Sequence, residues 1–337
     1  MDRCFSTVNE TIDMSSQVHF GAAVVLLGLL AACGSVAQTG GSSGGGAGND
    51  QGNESTGPQW AYRAAMPEAR FGIAAGVLDG LIYVMGGDNG SGAPYSDHVD
   101  VYDPVSDSWS AAASLPAGRT DAASAVAGGK IYLIGGTGVG AAASVLAYDP
   151  EADAWTAVAD LPNGQYLATA AAVNGSIFVF GGGSNPVNGV QVYDAVNDGW
   201  STPVAYLMPT PRYWTASVVL DNEIFVLGGA NFNLHPALAT VEGLQANDWT
   251  THVPLPHDTY ALGTAAVGSA LYVAGGTDGG GTFGSVFKLA GANWDVQASL
   301  QTPRASHAMV TVEGSLYVLG GFGSDSIPLN SVERLNP

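Results

Sequence analysis

Little in this chain can cross-link it or hold a cofactor. Only two cysteines occur in 337 residues, Cys4 and Cys33, and both precede the first regular pattern. No disulfide can staple a folded domain built from the rest, and no thiolate cluster can hold a metal there. Cations are scarce as well, with 9 Lys plus Arg against 29 Asp plus Glu and a formal charge of -20. Phosphate backbones are bound by clustered cations that displace counterions, so this balance excludes nucleic acid and adhesion to anionic lipid by charge. The histidines beyond the N-terminal segment, His98, His235, His252, His257 and His307, have no H-x-x-x-H spacing. Beyond the Gly/Ser-rich run before residue 58 there is no Gly-x-Ser-x-Gly elbow, and no Gly-rich loop precedes a helical pattern that could cradle phosphate. No metal, cofactor or catalytic residue is therefore expected.

Long hydrophobic runs are missing too. The longest, Phe20 to Ala32, has 13 residues, too short to span a bilayer but suited to the apolar core of an export signal. It ends in Leu30-Ala31-Ala32-Cys33-Gly34. That pentapeptide resembles the lipobox of bacterial lipoproteins, which implies cleavage before Cys33 and acylation of its thiol. The basic flank is thin, a single Arg3, and the start could lie at Met14. From Gly34 to Pro58 the chain is Gly/Ser-rich and cannot bury enough apolar area to offset the entropy of ordering, so it reads as a flexible tether. The expected organisation is a signal peptide at 1–32, a lipidated Cys33 with tether at 33–58, and one domain at 59–337. A lipid anchor places that domain in the bacterial cell envelope. Gly34 after the Cys, in place of Asp, favours the outer membrane by resemblance to lipoprotein sorting in enteric bacteria.

What the chain has in abundance is glycine, 48 in all, and it is periodic. Gly-Gly pairs stand at 86/87, 135/136, 181/182, 228/229, 275/276 and 320/321, with spacings of 45 to 49 residues. A short apolar run precedes each, from LIYVM to SLYVL, with an aromatic four residues before the second glycine. Tryptophans 60, 109, 155, 200, 249 and 294 keep the same rhythm, and only Trp214 falls outside it. The pattern, with Val101-Tyr102-Asp103-Pro104 before Trp109 and Ala147-Tyr148-Asp149-Pro150 before Trp155, resembles the kelch repeat. The resemblance implies an all-β, six-bladed propeller of four-stranded antiparallel blades, strands a to d, with Gly-Gly ending strand b and Trp in strand d. Because Pro337 ends the chain before a sixth Trp strand, residues around Trp60 are expected to complete the last blade.

Aligning the repeats places Arg70, Arg119, Gln165, Arg212, Thr259 and Arg304 at one equivalent position, holding four of the chain's seven arginines. In kelch propellers that bind ligands, arginines here point into the central mouth, so the resemblance implies a cationic funnel suited to carboxylates. Arginine here is equally part of the kelch consensus, where it pairs with loop carboxylates and supports neighbouring blades. Tyr166, Tyr213 and Trp214 cluster beside this position, and Trp214, the one Trp out of rhythm, is the leading ligand-stacking candidate. The loops after the glycine pairs open on the same face and carry the small polar residues that a peptide or glycan site uses. The function so implied is a monomeric binding module for a protein, peptide or glycan, with the membrane touched through the lipid anchor alone. The alternative is an enzyme similar to the periplasmic sialic-acid mutarotases, themselves six-bladed kelch propellers. That chemistry needs an Arg for the sugar carboxylate and an acid-base partner, for which Glu68, Asp121 and Asp258 lie nearest the mouth.

Overall fold

The computed structural model describes residues 57–183, 187–231 and 237–337. The signal segment, Met14, Cys33 and the tether up to residue 56 lie outside the described residues, as do parts of the loops after Gly183 and Ala230, including His235.

Six separate four-stranded antiparallel sheets make up the described fold. In blade 1, strand a is Ala74–Leu78, b is Leu81–Met85, c is Val99–Asp103 and d is Ser108–Ala111. Strands b and c are buried almost throughout because neighbouring blades cover both faces, whereas strand d alternates toward solvent as an edge. The a-to-b hairpin turns on Asp79-Gly80 with φ of 51° and 78°, the paired left-handed geometry that matches strand twist. The inner strands of successive blades pack side by side, and strand a of blade 6, Ala308–Val312, packs beside strand a of blade 1.

In the sixth blade, strand c, Val332–Leu335, pairs antiparallel with Ala61–Arg63, with Tyr62 opposite Glu333. Trp60 Nε1 donates to the Ala298 carbonyl of the preceding blade at 2.8 Å. Trp109, Trp155 and Trp200 make the equivalent bond to Ala64, Ala113 and Ala159 at 2.7 to 2.9 Å. Trp249 and Trp294 make it to Tyr206 and Val253 at 3.2 Å. The shorter bonds of blades 1 to 3 accompany a second link. The c-to-d turn aspartates Asp107, Asp153 and Asp198 each accept from a tyrosine of their own blade and from the backbone N–H of Ala64, Ala113 or Ala159. Blades 4 and 5 lack the Tyr-Asp pair in sequence and keep only the tryptophan.

Two further hydrogen-bond circuits run nearer the axis. The second glycine of each pair donates to the carbonyl at the aligned Arg position of the next blade: Gly87 to Arg119, Gly136 to Gln165, Gly182 to Arg212, Gly229 to Thr259 and Gly276 to Arg304. Gly321 to Arg70, at 2.9 Å, links blade 6 to blade 1. A Cβ on Gly86 would lie 2.3 Å from the Arg119 carbonyl oxygen, which is why no side chain fits there. Innermost, Asp121 donates its N–H to the Gly72 carbonyl, and Leu167, Trp214, Ala261 and Ser306 each donate to the preceding residue of that series. Gly72 donates to Ser306 at 3.0 Å, so this circuit also meets itself.

Residues 59–65 supply one strand, one Trp clasp and the acceptor for Trp109. Their deletion should abolish a cooperative thermal transition followed by circular dichroism, whereas deletion of residues 34–54 should leave the midpoint unchanged.

Candidate functional site

The four arginines at the aligned position do not face a mouth. Arg70, Arg212 and Arg304 are 0% exposed and Arg119 is 4% exposed. Each turns its guanidinium into its own blade, where one nitrogen donates to the carbonyl of the first glycine: Gly86 at 2.8 Å, Gly135 at 3.2 Å, Gly228 at 2.8 Å and Gly320 at 2.8 Å. The second nitrogen meets a buried strand-c carboxylate in three blades. Arg70 pairs with Asp100, Arg212 with Glu242 at 2.7 Å and Arg304 with Glu333 at 2.6 Å. These are strand residues rather than the loop carboxylates suggested by the consensus. The funnel expected from the arginines is thus corrected: a buried guanidinium needs fixed partners, and the strand geometry supplies them inside the blade.

Position 119 is the exception. The residue of blade 2 equivalent to Asp100, Glu242 and Glu333 is Leu146, opposite Leu133 as Asp100 is opposite Val84. Arg119 keeps only the Gly135 carbonyl and the Ser144 backbone and hydroxyl, and burial without a carboxylate pulls its pKa down.

Two residues further on, the chain turns to the axis. Gly72, Asp121, Leu167, Trp214, Ala261 and Ser306 all have φ between 49° and 60°, the left-handed region, which costs a residue with a side chain about 1 kcal/mol. These six and the next residue of each blade line one cavity of about 100 Å³. Its wall mixes polar and apolar surface, and no Lys or Arg belongs to it. Trp214 lies flat on Tyr260, with ring centroids 5.3 Å apart at 18°, and is tilted against Tyr213 at 5.5 Å. Its Nε1 is buried without a hydrogen-bond partner. Burial and the nearby Asp88 carboxylate push the Asp121 carboxyl up to about 7, against a hydrogen bond from Thr120. Across Gly72, burial and Arg304 push His307 down to about 3, so its ring is neutral. Neither ring nitrogen completes a well-formed hydrogen bond, and the backbone of Ala274 is the polar group beside it.

The KLHDC2/KLHL20/DRC7 Kelch-repeats domain matches residues 167–337, and the Kelch motif matches 69–116 and 118–162. The chain belongs to the kelch-repeat family. Kelch-like protein 23 of Mus musculus is 26% identical over 156 residues, 45% of this chain and 27% of that protein. Kelch repeat and BTB domain-containing protein 2 of Cowpox virus (strain GRI-90 / Grishak) is 27% identical over 126 residues, 36% of this chain and 22% of that protein. The matched part of the chain spans about a quarter of the length of these curated relatives. A solved structure described as "Structure of YjhT" superposes with a TM-score of 0.68 at 17% identity, covering 80% of this chain and 95% of that one, a likeness of fold.

Of the other candidates in this kelch propeller, Trp214 is on the cavity wall, Tyr213 is buried against it, and Tyr166 is half-buried one residue before Leu167. Asp121 lines the cavity, Glu68 lies 3.7 Å from Arg70 Nε, and Asp258 is exposed. The carboxylates Asp100, Glu242 and Glu333 were not singled out by the repeat alignment, although a signal existed. All three occupy one strand-c position, and each such blade carries Arg at the aligned position.

Arg212→Met strands the Glu242 carboxylate and should cost about 3 to 5 kcal/mol in chemical denaturation, whereas Arg119→Met, with no carboxylate to strand, should cost distinctly less. Leu146→Glu should couple favourably to Arg119 by about 1 to 3 kcal/mol in a double-mutant cycle. For Asp121, the folded pKa lies above the unfolded one, so its stabilising contribution is complete below about pH 4 and is lost as pH rises through about 7. Asp121→Asn should melt close to the parent at about pH 4 and at a higher temperature than the parent at about pH 8.

Proposed function

We propose that this chain is a cell-envelope binding module whose kelch propeller takes a protein or peptide ligand at the axial face bearing Trp214. The observation that carries this reading is the cavity itself, built from two successive residues of every blade and walled by an indole stacked on Tyr260. Strand a begins where strand b ends, as the bridges Tyr213 to Ala230 and Tyr260 to Thr277 record, so the described residues that follow the glycine pairs stand around this opening. Aromatic anchors inside a depression with a polar rim are the usual means by which a small set of residues supplies most of a binding energy. Kelch repeats in Kelch-like protein 23 and its relatives support a protein partner, and small polar loop residues would also suit a glycan. Envelope display follows from the lipobox-like Leu30-Ala31-Ala32-Cys33.

An enzymatic reading has one favourable observation, the Asp121 carboxyl at about 7, which is well placed to exchange a proton near neutrality. A mutarotase-like reaction on a carboxylate sugar would also need a cation at the cavity, and the lining contains none.

A displayed library of random linear peptides and a glycan array, each probed with the parent and with Trp214→Ala, test the binding reading. Peptides or glycans retained by the parent and lost by Trp214→Ala support it. Binding unaffected by that substitution, or no retained ligand of either kind, overturns it. In bacterial cells expressing the full chain, Cys33→Ala should move the protein from the membrane to the soluble fraction.

A further inference from the structure

The axial cavity carries a polarity opposite to the one the arginines had suggested. Its charged residue is Asp121, whose near neighbour of charge is another carboxylate, Asp88, on the strand-b side of blade 1. The Tyr95 hydroxyl feels both acids and is raised by burial and by them. The four aligned arginines are turned away into the blades and held there by glycine carbonyls. His307, from blade 6, is 7% exposed and neutral, with Nε2 packed against Gly263 and Nδ1 on the Gly275 side, so its ring nitrogens are closed off from the cavity. Trp214 stands three blades from Gly72 on the innermost circuit, and Gly72 presents no side chain there. A carboxylate or phosphate brought into this space meets a like-charged acid and no Lys or Arg in the lining. A cation gains an acid that has no cationic partner, and an indole beside it.

We infer that the axial cavity is a binding site for an alkylammonium group, with Asp121 as its counter-ion and the Trp214 indole as its aromatic wall. The volume of about 100 Å³ accommodates a methylene-ammonium head and several waters, but not a folded segment. Left-handed backbone at Asp121 and Trp214, where glycine would be least strained, is consistent with side chains kept for a ligand. The inference deepens the peptide-binding reading by naming lysine as the residue such a ligand would insert, and it rests on that reading only for the source of the ammonium group.

The test is titration calorimetry at about pH 8 with three probes: n-butylammonium, n-butanol and Nα-acetyl-lysine methylamide, each against the parent, Asp121→Asn and Trp214→Phe. Saturable binding of either ammonium probe by the parent, at least about tenfold weaker in Asp121→Asn and retained in part by Trp214→Phe, is the expected result. Stronger binding of the lysine derivative assigns the source to a peptide, and stronger binding of butylammonium assigns it to a free amine. Butanol binding as well as butylammonium, unchanged affinity in Asp121→Asn, or no heat with either ammonium probe overturns the inference. Thermal melts of both variants guard against loss of fold, since Asp121→Asn is expected to melt no lower than the parent at this pH. Enrichment of lysine-free peptides that still depend on Trp214 would leave the binding reading standing and remove the ammonium site.

Discussion

The architecture hangs on one carbonyl per blade, that of the residue at the aligned Arg position. It accepts the N–H of the second glycine from the preceding blade, while in four blades the side chain of the same residue reaches its own blade's first glycine carbonyl. Backbone and side chain of one residue therefore tie two adjacent blades to one register. The close approach demands glycine immediately before the donor, because a Cβ on Gly86 would overlap the acceptor oxygen that Gly87 binds. Each such bond contributes only about 1 kcal/mol, but the six form a circuit, so opening one blade strands buried polar groups on both of its neighbours. Cooperativity across the ring follows from that coupling, since a propeller blade has no separate core to retreat to.

Charge in this protein divides between two environments. Turn aspartates such as Asp153 and Asp198 accept backbone and tyrosine hydrogen bonds at the outer rim, which holds their carboxyls below the ordinary range. They stabilise the ring above the unfolded carboxylate value and release it as acid protonates them. Inside the blades, Asp100, Glu242 and Glu333 neutralise three of the four buried arginines. The strongly negative formal charge thus conceals a balanced interior, and the imbalance lies at the surface and along the axis.

The number of blades, their strand order and the tryptophan of each were legible in the sequence because they rest on spacing: 45 to 49 residues between glycine pairs and one Trp per interval. The direction of the arginines was not legible, since a periodic position reports which residues are equivalent but not whether their side chains turn toward the axis or into the sheet. What decides it is the cross-strand neighbour, Asp100 beside Val84 or Leu146 beside Leu133, a pairing that exists only once register is fixed. Trp214 was visible as the Trp that broke the rhythm. Its partner Tyr260 comes from the next blade, too far along the chain for local pattern to connect them.

The innermost circuit explains why the axis is where this propeller can be individual. Its six residues must adopt left-handed backbone so that each N–H reaches the preceding carbonyl, and those bonds are made by backbone atoms alone. The fold therefore constrains the conformation at these positions and leaves the side chain unspecified beyond a modest penalty for not being glycine. Gly72 meets the requirement without that penalty, yet the other five positions carry Asp, Leu, Trp, Ala and Ser. Leu167 and Ala261 close the wall with apolar surface, whereas Asp121 and Trp214 add an acid and an indole Nε1 that the circuit does not use. A residue whose side chain takes no part in the backbone circuit, is strained in its backbone and lines the cavity that the ring encloses is best accounted for by what enters that cavity.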